Sequence, residues 1–281
     1  MSDPLSPSVD SLLAAWRERV AADKEQVERA REKPDPTDFY APTASRFRMD
    51  PHRTDDATLN VLRSLAKSDE AWLDIGAGGG RYALPLALAV RQVVAVDPSP
   101  AMLAALQEDA AATLIENVRV IESRWPMPDP PHADVTLTAH VGYDIAEIGP
   151  FLDQMEACAN RLCVAVMGES AMATVSALFW QPIHGEPRVR LPALPELATL
   201  LFARGELPEI TLVDRVPPTF ALLDEAMDTA RRQLWLRRGS AKDEQLTTLV
   251  RDTATERDGR FAFEWTPTRI GIVTWSPAQL G

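Results

Sequence analysis

Asp74, Gly76, Gly78 and Gly80 stand at every second position of the run Asp74-Ile75-Gly76-Ala77-Gly78-Gly79-Gly80-Arg81. Glycines at this spacing let a turn take positive φ and bring a ligand against the main chain with no Cβ in the way. A second acid, Asp97, follows one strand–helix–strand unit later, at the end of the apolar run Val93-Val94-Ala95-Val96. A carboxylate there can accept two hydrogen bonds from a vicinal diol such as that of a ribose. A third group is His140, in Ala139-His140-Val141-Gly142-Tyr143-Asp144. Its ordinary pKa lies near neutrality, which suits an imidazole to take a proton from a reacting group. These residues describe a backbone cradle for a nucleoside-containing ligand, with a titratable side chain nearby.

The elements that must position them form an alternating series. Residues 71–75 are short, apolar and strand-like. Residues 82–90 carry apolar groups at helical spacing, with Pro85 in the first turn, where its missing N–H does no harm. The start of that helix offers N–H groups behind the glycines. Further strands are expected at 92–96, 118–121, 133–138, 162–167, 209–215 and 270–275. Helices are expected at 8–32, 55–67, 101–112, 152–159, 194–204, 222–236 and 242–253, while 179–188 reads as an aromatic and charged loop. Alternation of this kind implies a mostly parallel sheet with right-handed crossovers. Ligands of such sheets bind at the carboxyl ends of the strands, beside the point where strand order reverses.

The turn discriminates between cofactors. Dinucleotide binders use Gly-x-Gly-x-x-Gly, but counting from Gly76 the sixth position is Arg81. The Asp-x-Gly-x-Gly-x-Gly turn instead resembles motif I of the class I S-adenosylmethionine-dependent methyltransferases, of the type 11/12-like kind. The run Val94-Ala95-Val96-Asp97-Pro98-Ser99-Pro100-Ala101-Met102 resembles that family's second motif. The resemblance implies S-adenosyl-L-methionine as methyl donor and S-adenosyl-L-homocysteine as product. It implies a Rossmann-like α/β fold with a seven-stranded sheet of order 3-2-1-4-5-7-6, the last strand antiparallel and helices on both faces. It also implies cofactor-binding roles for Asp74, Gly76, Ala77, Gly78, Gly80, Asp97, Pro98 and Met102, with the turn at the methionine end, Asp97 on the ribose and Met102 along the adenine.

Where many members carry an acid for the adenine amine, this chain has Ser123 and Arg124, which leaves a backbone contact from either. His140 falls where similar enzymes line the methyl-transfer site, so a cofactor or substrate contact is expected, with general-base catalysis as the alternative. Acceptor-binding candidates are Tyr143 after the fourth strand, Trp180 and His184 in the aromatic loop, and Tyr40 in the segment that folds over the cofactor in similar enzymes. For Tyr40, Trp180 and His184, simple packing is an equal expectation.

The chain has 281 residues, 46% of them hydrophobic, which suits one large domain with elaborations. The expected organisation is an N-terminal helical extension or lid over 1–52 and a methyltransferase domain over 53–281, with a helical insertion near 218–262. A formal net charge of −12 disfavours a nucleic-acid substrate and favours a small-molecule acceptor. An RNA or protein methyltransferase and a non-catalytic cofactor-binding module are the alternatives, and Arg81 disfavours a nicotinamide-dependent reductase. Cys158, Cys163 and the four histidines show no metal-ligand spacing, so no metal site is expected. No signal peptide and no apolar run of about 18 residues is present, which points to a cytoplasmic protein without a membrane span. The acceptor and the oligomeric state are left open.

Overall fold

β1 (Ala71–Ile75) is the axis of the sheet, with β2 (Gln92–Asp97) paired parallel on one side and β4 (Ala133–Ala139) paired parallel on the other. The computed structural model describes residues 7–34, 48–171, 176–264 and 268–277. β3 (Val118–Glu122) extends the sheet beyond β2, and β5 (Ala159–Gly168) extends it beyond β4. β9 (Arg269–Trp275) runs antiparallel to both β5 and β6 (Glu209–Asp214), giving the order β3-β2-β1-β4-β5-β9-β6. This is the expected seven-stranded order, with β9 as the antiparallel strand. β6 therefore runs parallel to β5, so the carboxyl ends of β1, β2, β4, β5 and β6 share one edge.

Alternation along the strands builds two cores. Leu73, Ile75, Val94, Val96, Ala165 and Met167 face α1 (Val9–Ala30), α5 (Ile148–Ala157) and α7 (Leu194–Ala203). Trp72, Val93, Ala95, Val135 and Leu137 face α2 (Ala57–Leu65), α3 (Ala83–Ala87) and α4 (Pro100–Ala112). Because both faces are covered, the central strands read as continuous apolar runs.

A third core joins α6 (Ser176–His184), α8 (Leu223–Gln233) and α9 (Ala241–Thr253) with Val27 at the end of α1. The loop expected over 179–188 is a helix through His184. Phe179, Trp180 and Ile183 point into this core at helical spacing, and neighbouring helices hold the turn around the internal Pro182. The helical unit thus draws on α6 and α1 as well as on 218–262. A short hairpin, β7 (Thr255–Arg257) and β8 (Arg260–Ala262), closes it. The hairpin was not expected, yet Asp258-Gly259 carries its signal, since both residues have positive φ and Asp-Gly favours such two-residue turns. α5 begins at Ile148 rather than 152, because Pro150 is tolerated in a first helical turn.

α1 ties these parts together. Trp16 and Val20 enter the core under α5 and α7, and the Trp16 Nε1–H donates to the Ile145 carbonyl at 3.0 Å. Further along, Asp23 pairs with Arg188 at 2.6 Å, and Gln26 bonds the backbone of both Pro187 and Val189. Tyr40 lies outside the described residues. Among the described residues, no helix is long and apolar enough to cross a membrane.

Candidate active site

The glycine turn is held by its own amides. The N–H groups of Gly76 and Ala77 both donate to the Val96 carbonyl, at 2.7 and 3.1 Å, and that of Gly80 donates to Ala77 at 3.0 Å. The Gly78 N–H donates to Oδ2 of Asp97 at 2.8 Å. Four donors that could cradle a pyrophosphate are therefore engaged within the protein, whatever the helix start behind them could have offered. α3 is only five residues long.

The glycines differ in what their missing side chains allow. A Cβ on Gly76 would drive into Val141 Cγ2, and one on Gly80 would lie 2.9 Å from both Leu106 and Leu84. Those two glycines serve close packing. A Cβ on Gly78 would meet only the Met102 Cε, at 3.9 Å, with open space otherwise, and its φ is +54°. Gly78 is the glycine of this turn that is not needed for close packing. Met102 is itself buried.

Asp74 lies at the end of β1 beneath this turn, only 2% exposed, and its Oδ1 has no hydrogen-bond partner. A buried orphan carboxylate oxygen is costly and calls for a partner. Burial, and then the nearby charge of Asp97, push its pKa up to about 7. Asp97 is 8% exposed. Its Oδ1 accepts the Ser99 N–H at 2.8 Å, while the Ser99 hydroxyl accepts the Met102 N–H and caps α4. Pro98, between them, is exposed. Asp97 therefore organises both the glycine turn and the start of α4. Ser123 follows β3, donating its N–H to the Asp97 carbonyl at 3.2 Å and its hydroxyl to the Arg124 carbonyl. Its backbone donor is thus engaged, while Arg124 is exposed.

His140 terminates β4 with φ +59°, its N–H bonded to the Val166 carbonyl at 2.8 Å. The half-buried ring lies against Tyr82, whose hydroxyl is 3.5 Å from Nε2, and its Nδ1 is buried with no partner. Burial, together with the positive charges of Arg81 and Arg215, pushes the imidazole down to about 4, so it is neutral at physiological pH. Tyr143 donates no contact to an open wall. It is buried, its hydroxyl accepts the Gly168 N–H at 2.8 Å, and burial pushes its pKa up to about 12. It ties the loop after β4 to the end of β5.

Two expected acceptor residues lie in the helical unit instead. Trp180 is 2% exposed, packed under the Arg188 guanidinium at 4.0 Å and edge-on to Trp235. His184 lies tilted against Trp180, its Nδ1 3.2 Å from the Lys242 ammonium. Burial, then the Lys242 charge, holds it down at about 4. Both side chains are part of that unit's packing.

Sequence reasoning missed a charged group beside His140. Asp56 caps α2 through the Leu59 N–H and pairs with Arg53 at 3.1 Å, and Arg53 also donates to the Arg81 carbonyl at 2.8 Å. Arg81 lies 3.6 Å from Asp56 and 5.2 Å from the centre of the Tyr82 ring. The turn's departure from the dinucleotide pattern at Arg81 was its one visible signal.

Comparison with known proteins agrees with this geometry. Residues 73–158 match the family model described as a methyltransferase domain. The chain matches none of the curated proteins by sequence. Among solved structures, it resembles YcgJ of Bacillus subtilis with a TM-score of 0.53 at 17% identity, covering 78% of this chain and 97% of that one. It also resembles a candidate methyltransferase of Bacillus halodurans with a TM-score of 0.54 at 15% identity, covering 79% and 100%. The glycine turn between two acids lies within residues 73–158, the stretch that matches the methyltransferase-domain family, and the β3-β2-β1-β4-β5-β9-β6 sheet is built around it.

Proposed function

We propose that this chain is an S-adenosylmethionine-dependent methyltransferase acting on a small-molecule acceptor, with the cofactor lying between Asp74, Gly78 and Asp97. The observation that carries the site is the pairing of an orphan Oδ1 on buried Asp74 with the open face of Gly78. A methionine ammonium suits the first and the rest of the methionine portion the second, with the purine along Met102. Asp97, which holds the Gly78 and Ser99 amides, is the group assigned to the ribose diol. Gly76, Ala77 and Gly80 shape the turn, Pro98 and Ser123 frame the rim, and the Arg124 backbone is the remaining adenine contact on the β3 side. Bound there, S-adenosylmethionine supplies a methyl group on a sulfonium, open to in-line displacement.

The chain's own residues position and exclude. Tyr143 holds the loop after β4 to β5, and His140 presents a neutral ring at the methyl end. With a pKa near 4, that ring is a weak base for an acceptor at neutral pH. We therefore assign it contact with cofactor or acceptor, and the rate advantage to orientation. The extension up to residue 52 reads as a cover whose helix α1 is anchored on α5, α7 and the helical unit. The net charge of −12 supports a small acceptor over RNA.

Incubation with methyl-labelled S-adenosylmethionine and a cell extract divided into small-molecule, RNA and protein fractions tests the acceptor class. Label is expected in the small-molecule fraction; label confined to RNA or protein would overturn this reading. A second expectation concerns protons. A nearby ammonium favours the ionised Asp74, so binding lowers a pKa that stands at about 7 in the free protein. At about pH 6.5 binding of S-adenosylhomocysteine should release roughly 0.7 proton, falling towards zero by about pH 8.5. Calorimetry in buffers of different ionisation heat measures this, and Asp74→Asn should abolish the release.

A further inference from the structure

The loop from β4 to α5, residues 140–147, carries His140 and borders the glycine turn. Val141 packs so closely on Gly76 that no Cβ fits between them. The His140 ring lies against Tyr82, its Nε2 3.5 Å from the Tyr82 hydroxyl. The backbone that makes these contacts is one the loop would not hold by itself. His140 has φ +59° and Gly142 φ +102°, and the first is unfavourable for a residue with a side chain. Such a residue keeps its conformation only where its surroundings over-determine it. For residues 140–143 the sheet does this: the His140 N–H donates to the Val166 carbonyl, and the Gly168 N–H donates to the Tyr143 hydroxyl.

The rest of the loop is anchored from outside the sheet, by α1. Leu13, Trp16, Arg17 and Val20 share one face of that helix, at i, i+3, i+4 and i+7. Leu13 sits over Gly149, where a Cβ would lie 3.3 Å from it. Trp16 is buried and donates its Nε1–H to the Ile145 carbonyl at 3.0 Å. Arg17 donates to both oxygens of Glu147, each at 2.8 Å. Val20 is buried as well but contributes apolar packing only. One helix face therefore grips residues 145–149, the stretch that leads back to His140 and Val141.

We propose that Trp16, together with Arg17, is a positioning residue for the candidate active site: from α1 the pair holds residues 145–149 and thereby keeps His140 beside Tyr82 and Val141 against the glycine turn. The proposal rests on the cofactor assignment above, and adds to it that binding depends on a helix outside the nucleotide cradle. Removing the Trp16 N–H takes this donor from the Ile145 carbonyl and frees the loop to populate other conformations. Apparent cofactor affinity then falls with the fraction of chains that keep the competent loop.

Trp16→Phe keeps an aromatic ring in the core and removes the donor. By calorimetry it should bind S-adenosylhomocysteine about three- to tenfold more weakly, the scale of one lost hydrogen bond. Its His140 imidazole resonances should shift before any ligand is added. Val20→Ala, on the same helix face, should lower the melting temperature yet leave affinity and resonances as in the unaltered chain, which separates positioning from stability. Arg17→Glu and Glu147→Arg give a second route, because both residues are exposed and both variants should fold. They move the net charge in opposite directions, yet at low salt each should weaken binding about two- to fivefold, and the double variant should recover it. If Trp16→Phe fails to fold, this cycle decides. Unchanged affinity and resonances in Trp16→Phe, an equal loss of affinity in Val20→Ala, or no recovery in the double variant each overturns the proposal while leaving the cofactor site standing. Failure of S-adenosylhomocysteine to bind the unaltered chain would remove both.

Discussion

Gly78→Val is expected to weaken S-adenosylhomocysteine binding by at least about a hundredfold in a protein that still folds. Two effects combine. The position has φ +54°, a conformation that costs a β-branched residue about 1–2 kcal/mol. The new side chain would also project beside Met102, whose Cε would lie 3.9 Å from its Cβ, into the space assigned to the cofactor. The strain alone should lower the melting temperature by only a few degrees, roughly 2–8 °C for a chain of this size. Gly80→Ala supplies the contrast. Its Cβ would press on Leu106 and Leu84 at 2.9 Å, so stability should fall and affinity in the surviving fold should change little. A folded Gly78→Val that binds normally would make the turn a purely structural feature.

Asp97→Ala should cost about 1.5–3 kcal/mol in cofactor affinity, or roughly 10–150-fold, as expected for charge-assisted hydrogen bonds to a diol. The sequence alone suggests a cleft-facing carboxylate with little role in stability. The structure revises that, because the same carboxylate accepts the Gly78 and Ser99 amides, and removing it leaves both without a partner. A stability loss of about 1–3 kcal/mol is therefore expected alongside. Asp97→Asn retains an oxygen for one amide and separates the effects: it should fold better than Asp97→Ala yet still bind weakly. Calorimetry and thermal melting on both variants check this, and unchanged affinity in folded Asp97→Ala would remove the ribose assignment.

The proposed cofactor half of the site is readable in the sequence because its residues are local. Asp74, the glycines, Asp97 and Met102 belong to one strand–turn–helix–strand–helix unit, and their spacing encodes their proximity. The strands around it are apolar enough to declare themselves, since helices cover both faces. The surroundings of His140 are not local, since the Tyr82 ring lies against it and Arg81 and Asp56 pair beside that ring. No periodicity reports such a meeting. Trp180 and His184 drew attention as aromatic and titratable residues near Pro182, a helix breaker in isolation. Packing against α8 and α9 overrides that propensity, and the aromatic groups are the core of the helical unit. The hairpin at Asp258-Gly259 was legible and overlooked, its strands being only three residues each.

The central claim is that the turn between Asp74 and Asp97 holds S-adenosylmethionine. Parallel titration of the full chain with S-adenosylhomocysteine and with NAD tests it most directly. Saturable one-to-one binding of S-adenosylhomocysteine, lost in Gly78→Val and with no binding of NAD, is the predicted result. Binding of NAD in its place, or S-adenosylhomocysteine affinity indifferent to Gly78→Val, would contradict it.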